Sequence, residues 1–217
     1  MDKVHLTELI LYIWWKIMSS FKGIFGFNRV ELKDLLISSI AIAIVVVWPR
    51  GFPTFNIGFF LHFIAALLTV GIAFIFHELA HRTVARHFGA WSEFRAWYEG
   101  LALAIFLKII LGFTFIAPGA VYIHKDYLKT KENGLISVAG PLTNIVLAVL
   151  FMILPIPAIY YSGYYVDISS YGYFVNIFLA MFNLLPIYPF DGSKVMRWNF
   201  LVWAVLFIPL IVLYFFV

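Results

Sequence analysis

The sequence has no cysteine, no glutamine and very little charge: Asp, Glu, Lys and Arg make up 12% of its 217 residues. Without cysteine, disulfides and thiolate metal sites are excluded. Soluble domains carry about 25% charged residues. This chain is instead 64% hydrophobic, with a mean hydropathy of +0.97. One small core cannot hide that much apolar surface from water. The composition describes an integral membrane protein in contact with the lipid bilayer, and the length fits one domain. A secretory signal is also lacking, because Asp2, Lys3, His5 and Glu8 break any apolar run and Lys16 follows. The net charge of +4 reads as basic residues gathered on one membrane face, so no nucleic-acid partner is expected.

A spanning helix needs about 20 apolar residues. Five stretches approach or reach this: residues 35–48, 59–76, 135–154, 172–188 and 199–217. Residues 101–111 are too short to cross and carry Lys108, which suits a re-entrant or interfacial helix. The placement of Lys and Arg tests the count. With the N-terminus inside and five crossings, fourteen of the fifteen basic residues fall inside and only Arg50 falls outside. A further crossing in the middle would scramble this asymmetry. Before the first span, Leu6, Leu9, Ile10, Ile13 and Ile17 recur at helical spacing beside Trp14, Trp15, Lys16 and Lys22. That is the pattern of an interfacial helix on the cytoplasmic leaflet. The expected class is an all-α multi-pass protein of the cell membrane. Residues 1–34 form its N-terminal cytoplasmic or interfacial segment, and residues 35–217 form one intramembrane domain.

The second stretch carries groups that lipid tolerates badly. Residues 71–89 read "GIAFIFHELAHRTVARHFG", with His77, Glu78 and His81 at the end of the apolar run. Ionisable groups within a membrane cost several kcal/mol unless they have a partner or a task. His77 and His81 lie on one helix face, about 6 Å apart along the axis, so both can aim a nitrogen at one ion. Two histidines, a carboxylate and a water make a catalytic zinc set. Glu78 follows the first ligand and so stands beside the bound water, where it can take the proton. Zinc lowers that water's pKa from about 16 to about 7.

A third ligand is needed, and the sequence has eleven acidic residues. Asp2, Glu8, Glu31 and Asp34 are N-terminal; Glu93, Glu99, Asp126 and Glu132 fall in the inner loop; Asp167 is on the far side. Asp191 remains, at the inner end of the fourth span and so at the depth of HELAH. Around it the chain reads "FNLLPIYPFDGSK". Pro186 and Pro189 remove backbone donors and disfavour helix before them. The span should therefore unwind into a segment ending in Asp191, with Gly192 permitting a sharp turn. Irregular backbone at this depth is tolerated only where it is buried or lines a wet cavity. One Zn2+ per chain on His77, His81 and Asp191 is expected. His62, about 22 Å along the helix from His77, should bond a neighbouring helix, while His87 and His124 should be wet.

Three motifs then resemble the site-2 protease family of intramembrane zinc metalloproteases. The first is "FHELAH", followed by Ala85, Arg86 and Gly89. The second is "AGPLTN", residues 139–144, similar to the family's Gly-Pro-x-x-Asn. The third is "NLLPIYPFDG", residues 183–192, which matches Asn-x-x-Pro-x-x-Pro-x-Asp-Gly. The resemblance implies a three-helix catalytic core over about residues 59–197, zinc on His77, His81 and Asp191, and Glu78 as base. It also implies that Asn144 orients substrate or stabilises the oxyanion, as an amide donor can. Bonding between helices is the other reading of Asn144. Asn183 should cap or brace the unwound segment. The PDZ and nucleotide-binding modules of many members have no counterpart here. "WSEFRAWY" and "GFTFIAPGAVYIH" flank the short helix with β-rich composition and a Pro-Gly turn signal. They should form a small membrane-associated sheet, either a structural lid or an edge to which a substrate segment adds as a strand.

The function implied is hydrolysis of peptide bonds in or near the transmembrane helix of another membrane protein. A metal transporter and a catalytically silent scaffold are the alternatives. Glu78 separates them: a transporter needs ligands but no base beside the water, and a silent relative usually lacks the glutamate or a ligand. All four residues are present.

Overall fold

The structure is a computed structural model, and it describes residues 28–49, 53–114 and 118–216. The interfacial helix expected over residues 6–17, and Arg50, lie outside the described residues.

Helix α1, Arg29–Val47, starts six residues earlier than the apolar run suggests. Asn28 caps it, its side-chain oxygen accepting from the Glu31 N–H at 2.7 Å. Helix α2, Ile57–Ala66, is capped in the same way by Asn56. A π turn, Leu67–Gly71, then carries the chain without a break into α3, Ile72–His87. Strand β1, Trp91–Ala96, is followed by helix α4, Tyr98–Leu111, and strand β2, Gly119–His124. Helix α5 is Thr130–Ile153. A hairpin of β3, Ile159–Tyr161, and β4, Tyr164–Val166, precedes α6, Ile168–Asn183. Helices α7, Asp191–Trp198, and α8, Phe200–Phe216, end the chain.

The protein is mostly helical, as expected. Two of its helices, Ile57–His87 and Thr130–Ile153, are long and apolar enough to cross a bilayer by length and composition. Alanine makes the close contacts between helices: Ala43, Ala65, Ala66, Ala73, Ala85, Ala148 and Ala180 are fully buried, which lets backbones approach. Helix α5 sits at the centre, packed on α3, α6 and α7.

The expected small sheet is present: β1 and β2 pair antiparallel, with Phe94 opposite Val121. Helix α1 anchors it. The N–H of Phe94 donates to Glu31 Oε1 at 3.0 Å, and that of Ala96 to Asp34 Oδ2 at 3.2 Å. The Tyr98 hydroxyl also donates to Asp34, at 2.5 Å, which pushes the phenol's pKa up. These carboxylates occupy the outer edge of β1, so among the described residues the open edge of the sheet is β2. Glu31 also pairs with Arg82 of α3 at 2.9 Å, both side chains 1% exposed. Glu31→Ala takes a partner from a buried guanidinium and from a strand N–H at once. It should destabilise the protein by about 3–5 kcal/mol, read as a lowered Tm of the purified protein.

Three details differ from expectation. Helix α6 stops at Asn183 rather than near residue 188, so the unwinding expected before Asp191 begins earlier than the prolines alone require. His62 bonds the Gly58 carbonyl of its own helix at 2.8 Å rather than a neighbouring one. The β3–β4 hairpin falls in a stretch expected to be loop. Its two-residue turn, Ser162 and Gly163, has positive φ at both positions (50° and 84°), which matches the strand twist. His87 and His124 are exposed, as expected.

Candidate metal centre

His77 and His81 are one helical turn apart on the face of α3 that meets α5. Their Nε2 atoms are 3.0 Å apart. Asp191 Oδ2 lies 3.0 Å from His81 Nε2 and 3.6 Å from His77 Nε2. Both histidines are buried and Asp191 is nearly so. The expected third ligand therefore meets the two histidines, across 110 residues of sequence.

The local chain explains how Asp191 arrives there. After Asn183 the backbone leaves the helix, and α7 begins at Asp191 itself. The sharp turn expected at Gly192 is made without a positive φ. The glycine is needed because α7 docks against the unwound segment, and a Cβ there would stand 2.0 Å from the Leu184 carbonyl oxygen. The other carboxylate oxygen, Oδ1, faces Lys194 Nζ at 3.4 Å.

The hydrogen bonds on the far side of each ring decide which nitrogen is free. His81 Nδ1 meets the Ile136 carbonyl at 2.7 Å. A carbonyl only accepts, so the proton is on Nδ1 and the lone pair is on Nε2. His77 Nδ1 meets Asn144 Oδ1 at 2.5 Å, with the same result. In the neutral tautomers, two imidazole lone pairs and a carboxylate oxygen converge on one point, a donor set that suits a cation. Donors about 2.0–2.1 Å from a tetrahedral zinc would stand about 3.3–3.4 Å apart, and the observed separations of 3.0, 3.0 and 3.6 Å bracket this. Gly140 of α5 keeps the space open, since a Cβ there would lie 2.4 Å from His81 Nε2 and 2.6 Å from His77 Nε2. The residues fit the ion.

Glu78 borders the same cavity, which has a volume of about 290 Å³ and reaches from His77, His81 and Asp191 to strand β2. Phe74, Phe178 and Phe182 form its apolar wall, with Lys194 and Ser137 as polar lining. Asn144 is placed differently from what an oxyanion donor needs. It is fully buried, and its amide nitrogen donates to Asn176 Oδ1 at 3.0 Å and to the Ala73 carbonyl at 3.3 Å. The atom it turns toward His77 is its oxygen. Asn183 bonds back to the Leu179 carbonyl of its own helix at 2.9 Å.

Sequence reasoning missed Gly140 as part of the cradle, and it missed Asn176. The signal for Asn176 was an amide in the middle of the apolar run "YFVNIFLAM", because polar groups in such runs need partners.

The chain is 55% identical over 192 residues to a Methanocaldococcus jannaschii protein provisionally named zinc metalloprotease MJ0611, covering 87% of this chain and 95% of that one. It is 30% identical over 157 residues to a Mycolicibacterium smegmatis protein provisionally named zinc metalloprotease Rip2, covering 64% of this chain and 58% of its relative. Zinc metalloprotease MJ0392 of Methanocaldococcus jannaschii is 26% identical over 171 residues, which is 76% of this chain and 41% of that protein. No protein-family model matches the chain, and no solved structure matches it significantly. Zinc is the metal these names carry, and it is the metal that the donor set fits.

Proposed function

Because the chain belongs to a family of zinc metalloproteases, we propose that it is an intramembrane endopeptidase of the site-2 protease type, which hydrolyses peptide bonds in or near transmembrane segments of other membrane proteins. The observation that carries this is the meeting of His77, His81 and Asp191 with Glu78 in one cavity, on a helix apolar enough to cross a bilayer. From Ile57 to His77 that helix rises about 30 Å, the thickness of the hydrocarbon layer. A helix that enters the outer leaflet at Ile57 therefore brings His77 to the inner edge.

Five crossings are part of this proposal, and three exposed apolar stripes support a lipid-facing surface. Phe60, Ile64, Leu68 and Phe76 form an exposed apolar stripe on α2 and α3; Val146, Val149 and Ile153 do so on α5, and Leu201, Val205 and Ile208 on α8. In water such stripes would be patches needing a cover; in lipid they are covered. Arg82, Arg86, Lys125, Lys129, Lys131, Lys194 and Arg197 cluster where α3 ends, α5 begins and α7 lies, which suits the cytoplasmic side.

The chemistry a bound zinc supplies is Lewis acidity, which polarises a carbonyl and makes water a nucleophile near neutral pH. His77, His81 and Asp191 would hold the ion, and Lys194, 3.4 Å from Asp191 Oδ1, would steady the second oxygen of Asp191. Glu78 takes the proton of the attacking water and passes it to the departing amine nitrogen. The phenylalanine wall limits access of bulk water. An extended substrate is needed, because a helix hides its amides. The groups of Val121 and Ile123 on the open edge of β2 point away from β1, as the pairing of Phe94 and Ala96 with α1 requires, and both residues border the cavity. A substrate segment adds there as a strand.

The test is zinc content and cleavage of a single-span substrate in vesicles. The parent should hold about one zinc per chain and cleave, and Asp191→Ala should lose both. Full zinc in Asp191→Ala would refute the ligand set. Zinc flux across the vesicle without cleavage would identify a transporter instead.

A further inference from the structure

We infer that Asn176 is a positioning residue for zinc: it sets the direction of a two-amide relay that keeps the metal-facing nitrogen of His77 free. The inference rests on the zinc site described above. Asn176 is on α6 and Asn144 on α5, and both are fully buried.

The relay has one self-consistent direction, because it starts on backbone carbonyls that can only accept. Asn176 Nδ2 donates to the Gly172 carbonyl at 2.8 Å, so its oxygen must face Asn144. Asn144 therefore presents its amide nitrogen to Asn176, at 3.0 Å, and to the Ala73 carbonyl, at 3.3 Å. Both protons of that nitrogen are then spent, and only the oxygen is left for His77 Nδ1. His77 must place its proton on Nδ1, which leaves Nε2 as a lone pair facing His81 and Asp191.

Removing Asn176 leaves the longer contact to the Ala73 carbonyl, at 3.3 Å, to hold the orientation of Asn144 against His77. An Asn144 turned over would donate to His77 Nδ1 and drive the proton onto Nε2, where it blocks the ion. Outer groups of this kind fix the orientation and tautomer of metal-binding histidines, and their loss costs about 10–100-fold in metal affinity. A plain bond between α5 and α6 would lower stability and leave the zinc affinity of the folded protein unchanged.

The experiment is a zinc competition titration against a chromophoric chelator, with the metal-free protein melted alongside. Asn176→Leu should bind zinc about 10–100-fold more weakly in a protein that still folds, its metal-free melt lowered by no more than the loss of one buried hydrogen bond. Asn176→Asp, which in its protonated form offers the same donor and acceptor, should recover most of the affinity. In an Asn144→Leu background, Asn176→Leu should cost little more, because the path through Asn144 is already cut. If Asn176→Leu does not fold, Asn176→Ala opens space in place of filling it and reads the same quantity. A parent that binds zinc while Asn176→Leu binds it equally well would overturn the relay alone. An undiminished loss in the Asn144→Leu background would also overturn it. A parent without zinc affinity would overturn the metal site beneath it.

Discussion

Glu78→Gln keeps its zinc and loses proteolysis. The substitution preserves the size of the side chain and its place in the cavity but removes the base. His77, His81 and Asp191 would hold the ion without it, so zinc per chain should equal that of the parent. Positioned acid–base groups contribute about 10²–10⁴-fold, and a loss in that range is expected for cleavage of a single-span substrate. Measuring zinc and turnover on the same preparation separates the base from the ligands. Parent-like cleavage would show that another group moves the proton. Loss of zinc together with activity would make Glu78 a ligand.

Gly140→Ala should empty the metal site from the opposite wall. The added Cβ would stand 2.4 Å from His81 Nε2 and 2.6 Å from His77 Nε2, closer than carbon and nitrogen can approach. The rings can yield only by leaving the Ile136 carbonyl and Asn144, which turns their lone pairs off the common point. Zinc occupancy and cleavage should both be lost. In a helix interior alanine is favoured over glycine by about 0.5–1 kcal/mol, so the backbone of α5 does not resist the change. A folded metal-free protein whose melt is lowered by about 1–3 kcal/mol for the displaced rings, with the zinc gone, is the expected pair of results. Full zinc occupancy in Gly140→Ala would mean that the ion lies elsewhere.

The helices were legible because apolar runs and prolines act within a few residues of themselves, though the Asn28 cap that starts α1 early was not read. The HELAH face was legible for the same reason, since helical spacing alone puts His77 above His81. The end of α6 was legible in kind but not to the residue, because two prolines bound a region and packing chooses the break within it. The β3–β4 hairpin was visible only as a Ser-Gly pair between tyrosines. Glu31 and Asp34 read as part of a polar leader, and nothing local announced that they would be buried against Arg82, Phe94 and Ala96.

The chain's own order of residues settled that this is an apolar protein without thiol chemistry, that two imidazoles share a helix face, and that the backbone unwinds before Asp191. Each follows from side-chain chemistry or from spacing over a turn or two. Only the packed molecule decided that Asp191 meets those imidazoles and that Gly140 leaves room between them. It also decided that Asn144 offers an oxygen to His77 while Asn176 holds its nitrogen. Those outcomes depend on which atoms from distant segments come within about 3 Å of one another, and directional bonds at that range are set by how the helices pack.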